Sequence, residues 1–320
     1  MSRRPDFVVI GAQKAASSFL QSSLRRHPQM WLPAWEDPFF RDPVYDPAGL
    51  AGFARPYARR RELRLGMKCP DYLGRPEVPA RLHRDLAVPD LIVCLRDPVQ
   101  RALSAYFWWM RWGLIPIAPA EEGLRRILDG THDAGERVVA PILDWGRYHH
   151  HLSRYLEIFP REKLLVLLDE DLRRDAPAAI RRAHEFLGVD PDRSPPSTGG
   201  TRDNAGVYSL ERLRLLNLRN RHMLHWDADR THPTIPKPRN PLTRLYCDAI
   251  AATDRYLLAR IHRDPKPVLS AELTGRLHAF YRDDLARLAG LIDRDLTRWD
   301  RSVPLPRPLA DTAAPDGDRR

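Results

Sequence analysis

The strongest constraint on the fold lies at the N-terminus. Residues 6–10 form a short apolar run that ends at Gly11, and helical periodicity follows over 17–26 through Phe19, Leu20 and Leu24. An unbroken apolar run suits a strand buried on both faces of a parallel sheet. A loop between such a strand and a helix offers an anion its backbone N–H groups and the positive end of the helix dipole. The opening of the chain therefore predicts a phosphate-binding α/β domain.

The alternation continues downstream. Residues 91–95 read as a second buried strand, with a helix starting near Pro98, a residue suited to a first turn. Residues 164–168 read as a third strand, after a helical stretch over 145–159, and residues 63–68 add another. Residues 178–187 read as a helix closed by Gly188. The expected fold class is α/β: a P-loop-like, doubly wound parallel sheet flanked by helices, with a largely helical C-terminal region over 207–300. Residues 113–140 are interrupted by Gly and Pro and read as an insertion or lid, and residues 190–206 as a loop-rich connector. We expect one domain over 1–302 and a frayed tail over 303–320.

The loop Gly11-Ala12-Gln13-Lys14-Ala15-Ala16-Ser17-Ser18 occupies the place of a nucleoside triphosphate loop but departs from its pattern. Ser17 stands where the lysine belongs, Ala16 replaces the second glycine, and the lysine lies three places earlier. Only five of the 52 basic residues are lysines, at 14, 68, 163, 237 and 266. In so arginine-rich a chain, Lys14 and Lys68 suggest a need for a compact ammonium rather than a planar fork. The second strand ends at Arg96, and Ser104 lies about two turns into the next helix, at the sheet edge where open α/β folds bind ligands. An arginine fork and a hydroxyl converging there suit a second phosphate.

Together the two segments resemble the paired motifs by which sulfotransferases bind 3′-phosphoadenosine-5′-phosphosulfate (PAPS). Further stretches resemble the carbohydrate branch of that family, which contains the heparan-type enzymes. Trp35-Glu36-Asp37-Pro38-Phe39-Phe40 resembles its Glu-x-x-Phe-Phe segment. Met67-Lys68-Cys69-Pro70-Asp71-Tyr72-Leu73 resembles its Lys-[Ser/Thr]-Pro-x-Tyr segment, with Cys69 in place of the hydroxyl residue. Similarity extends through Gly146-Arg147-Tyr148, Phe186-Leu187-Gly188 and the stretch 277–299. The departures are Ala16 for Gly, Ser17-Ser18 for a Thr pair, and Cys69.

The resemblance implies sulfuryl transfer from PAPS to a hydroxyl of a sugar, glycolipid or small molecule. It implies that Lys14, with Ala15, Ala16, Ser17 and Ser18, holds the 5′-phosphosulfate, and that Lys68 stabilises the transition state. It assigns Arg96 and Ser104 to the 3′-phosphate and Glu36 to the role of general base. A sulfuryl group carries less charge than a phosphoryl group, so lysines and loop N–H groups suffice in principle without a metal ion. The alternatives are a P-loop kinase acting on a small hydroxyl compound and a non-catalytic polyanion-binding protein. The misplaced lysine speaks against the first. The second draws on the net charge of +10 and the pI of about 9.8, which favour anionic partners without choosing among them.

Other features weigh less. Trp108, Trp109 and Trp112 suit a sugar-stacking wall or, more commonly, a buried aromatic face. His149, His150 and His151 are consecutive on a helix and so point in different directions, which does not make a metal site. Arg25-Arg26 and Arg59-Arg60-Arg61 suit an anionic acceptor or a solvated face. Arg202 and Asn204 lie in a loop able to close over a nucleotide. Cys69, Cys94 and Cys247 fit neither a disulfide framework nor zinc spacing, no nucleic-acid motif is present, and no stretch has the length of a membrane span. With no signal peptide in view, these features lead to an expectation of a cytoplasmic protein.

Overall fold

The structure, a computed structural model, describes residues 3–195, 206–226, 233–234, 240–262 and 264–300. The chain opens with β1 (Phe7–Gly11), α1 (Ser17–Leu24), β2 (Met30–Trp31), α2 (Leu50–Ala58), β3 (Arg64–Lys68), α3 (Val78–Leu86) and β4 (Asp90–Leu95). It continues with α4 (Pro98–Trp112), α5 (Ala120–Leu128), α6 (Glu136–Leu143), α7 (Tyr148–Leu156), β5 (Leu164–Leu168), α8 (Asp169–Arg174) and α9 (Ala176–Phe186). The C-terminal part holds α10 (Leu210–Met223), a small antiparallel pair β6 (His225–Trp226) and β7 (Pro233–Thr234), α11 (Pro241–Thr253), α12 (Ala259–Ile261), α13 (Ala271–Ile292) and α14 (Thr297–Asp300).

Five strands form one parallel sheet in the order β2-β3-β1-β4-β5. Every residue of β1 and β4 is buried, as their unbroken apolar runs require. The chain leaves β1 toward one side of the sheet and leaves β4 toward the other. The order therefore reverses between these two strands, and their C-terminal ends are the place where open α/β sheets bind ligands. The loops after both strands, carrying Lys14 and Arg96, meet there.

The strands and helices expected from the sequence are present with shifts of one or two residues at most ends. The helix expected over 145–159 is broken: Asp144–Gly146 is a 3-10 turn and α7 begins at Tyr148. Gly146 lies against the Tyr281 ring, so close that a Cβ would stand 2.8 Å from it, and this approach fixes the break. The segment 113–140, read as an insertion or lid, carries α5 and the start of α6. Leu124 and Ile127 of α5 are buried, and both helices pack against α4, where the fully buried Arg101 donates to the carbonyls of Pro141, at 3.3 Å, and Ile142. The tail over 303–320 lies outside the described residues.

Gly66 of β3 sits opposite Phe7 of β1, and a Cβ there would stand 2.0 Å from the Phe7 ring. Strand and ring cannot both keep their places around a larger residue. Gly66→Ala is expected to lower stability by about 1–3 kcal/mol in urea unfolding, the usual range for overpacking a tight core.

Candidate functional site

The loop after β1 turns by placing two non-glycine residues in the left-handed region, Lys14 at φ 67° and Ala16 at φ 66°. Such residues cost about 1–2 kcal/mol each, and Asn or Gly would be the relaxed choices. Ala16 holds this conformation directly before α1, at the position where the related nucleotide loop has glycine. The loop is tied to β4 by the Ala12 N–H donating to the Cys94 carbonyl at 2.7 Å. The Arg96 guanidinium reaches back to the Lys14 carbonyl at 3.4 Å. The two segments singled out in the sequence therefore form one site.

Lys68, at the end of β3, is 1% exposed. A buried ammonium needs partners, and it has three. It donates to Ser18 Oγ at 2.9 Å and Gln21 Oε1 at 3.2 Å, both on α1, and pairs with Glu36 Oε1 at 3.0 Å. Glu36 itself is half exposed, with a side-chain relative exposure of 52%, so its carboxylate also reaches solvent. Its loop is held by the Asp37 N–H donating to the Lys68 carbonyl at 3.0 Å and by the Tyr72 hydroxyl donating to the Asp37 carbonyl at 2.6 Å. Phe40, the second aromatic of the motif, is fully buried against Phe53 and Tyr72 and anchors the loop from below.

Lys14 sits among like charges. Burial first, then the nearby charges of Arg111, Arg96 and Lys68, bring its pKa down to about 8, while Glu36 opposes the shift. Arg96 has its backbone fixed by the Tyr148 hydroxyl at 2.7 Å and its guanidinium near Asp169 at 3.4 Å. Ser104 is half buried on α4, and Asp97 caps that helix through the N–H groups of Val99 and Gln100. Ala15 and Ser17 are buried behind the loop. Lys14, Lys68, Glu36, Ser18 and Arg96 are thus linked at the sheet edge.

Three contributors were not legible in the sequence. Gln21, 5% exposed, donates to the carbonyls of Pro33 at 2.8 Å and Trp35 at 3.3 Å while accepting from Lys68, so one amide holds both ends of the lysine–glutamate pair. Lys266, far along the chain, donates to the Gln100 carbonyl at 3.3 Å. Burial and the neighbouring Arg96 bring its pKa down to about 7. Arg111 enters from the last turn of α4. Its helical period with Ser104 was the available signal, at positions 104, 108 and 111 of one face.

The weaker sequence features resolve individually. Trp109 is buried in the core, whereas Trp108 and Trp112 are half buried and pack on each other at 5.7 Å. His151 is buried on the Asp144 carbonyl at 2.9 Å, and the His150 ring accepts from Arg154 at 2.7 Å. His149 and His150 line a groove of about 670 Å³ between α7 and α13 that contains none of the expected site residues. Among the described residues no helix is long and apolar enough to cross a membrane. Arg202 and Asn204 lie outside the described residues.

Two outcomes follow from this geometry. Gln21→Ala removes one of the three Lys68 partners and two hydrogen bonds to the Glu36 loop, so stability is expected to fall by about 1–3 kcal/mol and amide exchange over 33–37 to quicken. A pKa near 8 means that the Lys14 ammonium loses its charge as pH rises through that value. Pyrophosphate binding followed by calorimetry should weaken from pH 7 to pH 9 with uptake of protons, and Lys14→Arg should flatten the profile.

Comparison with known proteins agrees with the geometry. Residues 88–224 match the sulfotransferase domain family. Heparan sulfate glucosamine 3-O-sulfotransferase 3A1 of Mus musculus is 32% identical over 188 residues, covering 58% of this chain and 46% of that protein. Heparan sulfate glucosamine 3-O-sulfotransferase 6 of Mus musculus is 31% identical over 189 residues, covering 58% and 53% respectively. The chain thus spans about half the length of the curated relatives it matches. A crystal structure of a sulfotransferase from Alicyclobacillus acidocaldarius superposes on 93% of this chain and 100% of its own with a TM-score of 0.63 at 23% identity, a likeness of fold. Residues 88–224 thus match the sulfotransferase domain family, and the curated relatives named here are heparan sulfate glucosamine 3-O-sulfotransferases.

Proposed function

We propose that the chain transfers a sulfuryl group from PAPS to a hydroxyl of a sugar, glycolipid or small-molecule acceptor, a glucosamine-containing glycan first among them. One observation carries this reading: Lys68 and Glu36 form a 3.0 Å pair at the strand end where the Lys14 loop and Arg96 also meet. A base, two ammonium groups and an arginine fork are then within one crevice.

In this reading the acceptor hydroxyl attacks sulfur in line with the bridging oxygen of the 5′-phosphate. The new S–O bond forms as the S–O bond to the phosphate breaks, the hydroxyl proton passes to Glu36, and the phosphate leaves as an anion. Lys68 holds one Glu36 oxygen, which leaves the other for the acceptor. A positioned base contributes about 10²- to 10⁴-fold in rate. Lys14 and the loop N–H groups stabilise charge that appears on the leaving phosphate, the arrangement in which fixed dipoles and cations act most strongly. Arg96 and Ser104 take the 3′-phosphate, the group that separates PAPS from ATP. Lys266 adds a second cation near Arg96.

The test is calorimetric binding of 3′-phosphoadenosine-5′-phosphate (PAP) and of ADP, together with turnover. Wild type should prefer PAP. Charge-assisted hydrogen bonds contribute about 1.5–3 kcal/mol, so Arg96→Ala should weaken PAP about tenfold or more while leaving ADP nearly unchanged. Glu36→Gln should keep PAP affinity and lose at least about a hundredfold in kcat. Equal affinity for PAP and ADP in wild type would overturn the donor assignment, and undiminished turnover in Glu36→Gln would remove Glu36 from the reaction.

A further inference from the structure

Large apolar side chains that reach water are not spread evenly over the molecule. Among the described residues there are twelve, and seven of them lie on α10, α11 and α12. Scattered exposed apolar residues need no explanation, whereas a gathered patch marks a surface made for contact.

The patch has a regular build. A π turn over Asp254–Leu258 joins α11 to α12, so that the chain runs as one helix from Pro241 to Ile261. One side of it packs on α10 through the buried Cys247 and Ile250, and Asp254 pairs with Arg212 of α10 at 2.8 and 3.1 Å. The other side carries Leu242, Leu245, Tyr246, Tyr256, Leu257 and Ile261, which are 45–74% exposed. Positions 242, 246, 249, 253, 257 and 261 are all exposed and follow one another at three or four residues, the spacing of one helix face. In an unbroken α-helix the first and last of these stand about 100° apart. The π turn adds one residue to the register and brings Leu257 and Ile261 back into line with Leu242 and Tyr246. The result is a straight apolar stripe about 30 Å long on the solvent side of the helix.

Charge decides what covers it. Arg244, Arg255 and Arg260 are exposed on the same helix, and Arg221 is exposed in the last turn of α10. Carboxylates are fewer there: Asp248 stands 3.9 Å from Arg244, and Asp254 is engaged by Arg212. A second copy of the chain would bring the same arginines against these, with a net charge of +10 on each molecule adding repulsion. An anionic partner gains from the arginines instead. A convex, straight stripe offers no pocket for a peptide and lies flat against a plane. Arginine stems lie along apolar surface while the guanidinium stays at the polar boundary, and tyrosines favour the headgroup level. Among the described residues no helix is long and apolar enough to cross a bilayer, so this one rests on the surface. We propose that α11 and α12 dock the protein on an anionic lipid bilayer, with Leu242, Leu245, Leu257 and Ile261 at the acyl boundary and the arginines among the headgroups. The docking does not depend on which group the protein transfers.

The test is sedimentation of the full chain with phosphatidylcholine vesicles that contain about one third phosphatidylglycerol, and with phosphatidylcholine alone. Wild type is expected to bind the anionic vesicles about tenfold or more tightly than the neutral ones, with affinity falling as salt rises. The exposed pair Leu245→Glu and Leu257→Glu should together weaken binding about tenfold or more, while circular dichroism and the thermal midpoint match wild type. Arg244→Gln, Arg255→Gln and Arg260→Gln together should remove the preference for anionic lipid. Binding to neither vesicle, or binding that the leucine variant leaves unchanged, would overturn the proposal. So would a wild-type dimer in analytical ultracentrifugation that the leucine variant dissociates, because a second copy then covers the stripe.

Discussion

The burial of a single ammonium group organises the site. Lys68 is almost fully removed from water, and a charge so placed is tolerated only where hydrogen bonds and an opposite charge surround it. Its partners come from separate parts of the chain: Ser18 and Gln21 from α1, and Glu36 from the loop after β2. Satisfying the lysine therefore fixes the first helix, the third strand and the carboxylate loop relative to one another. Gln21 closes the arrangement by holding the loop backbone with the same amide that accepts from Lys68. A buried ion pair adds little to stability in general, because desolvation offsets the attraction. Here its effect is one of position, with a carboxylate held beside a cation at the mouth of the crevice.

Around that pair the chain gathers positive charge at some expense. Lys14 and Ala16 adopt backbone conformations that non-glycine residues avoid, and the nearby arginines, Arg111 and Arg96 on Lys14 and Arg96 on Lys266, add to burial in lowering the proton affinity of the two lysines. Strain and like-charge crowding of this kind persist where the surrounding structure enforces them, and they mark sites built for a ligand that supplies the compensation. In the proposed reading a polyanionic nucleotide supplies it at the Arg96 end of α4. That helix is capped by Asp97 at its start and held by Asn220 near its finish.

Much of this was legible in the sequence because it is encoded locally. Apolar runs that end in a loop fix strands and sheet edge, so β1, β4 and β5 and the meeting of Lys14 with Arg96 followed from pattern alone. Lys68 and Glu36 were legible only through motif resemblance, since nothing local says that a lysine at a strand end will reach a carboxylate 32 residues earlier. Gln21 and Lys266 act through long-range approach, which periodicity does not report. The segment 113–140 was read as an insertion or lid because Gly and Pro interrupt it. The burial of Leu124 and Ile127 fastens α5 to α4, and the residues that follow, Pro141 and Ile142, are held by Arg101, an arginine whose sequence context reads as part of a helix surface.

The central claim is that this crevice moves sulfur, not phosphorus. The most direct measurement follows label from PAPS carrying radioactive sulfur, and in parallel from ATP–Mg²⁺ carrying radioactive γ-phosphorus, into glucosamine-containing oligosaccharides incubated with the full chain. The account predicts incorporation of sulfur label, with PAP formed in equal amount, and no phosphorus label. Phosphorus incorporation from ATP without sulfur incorporation from PAPS would contradict it.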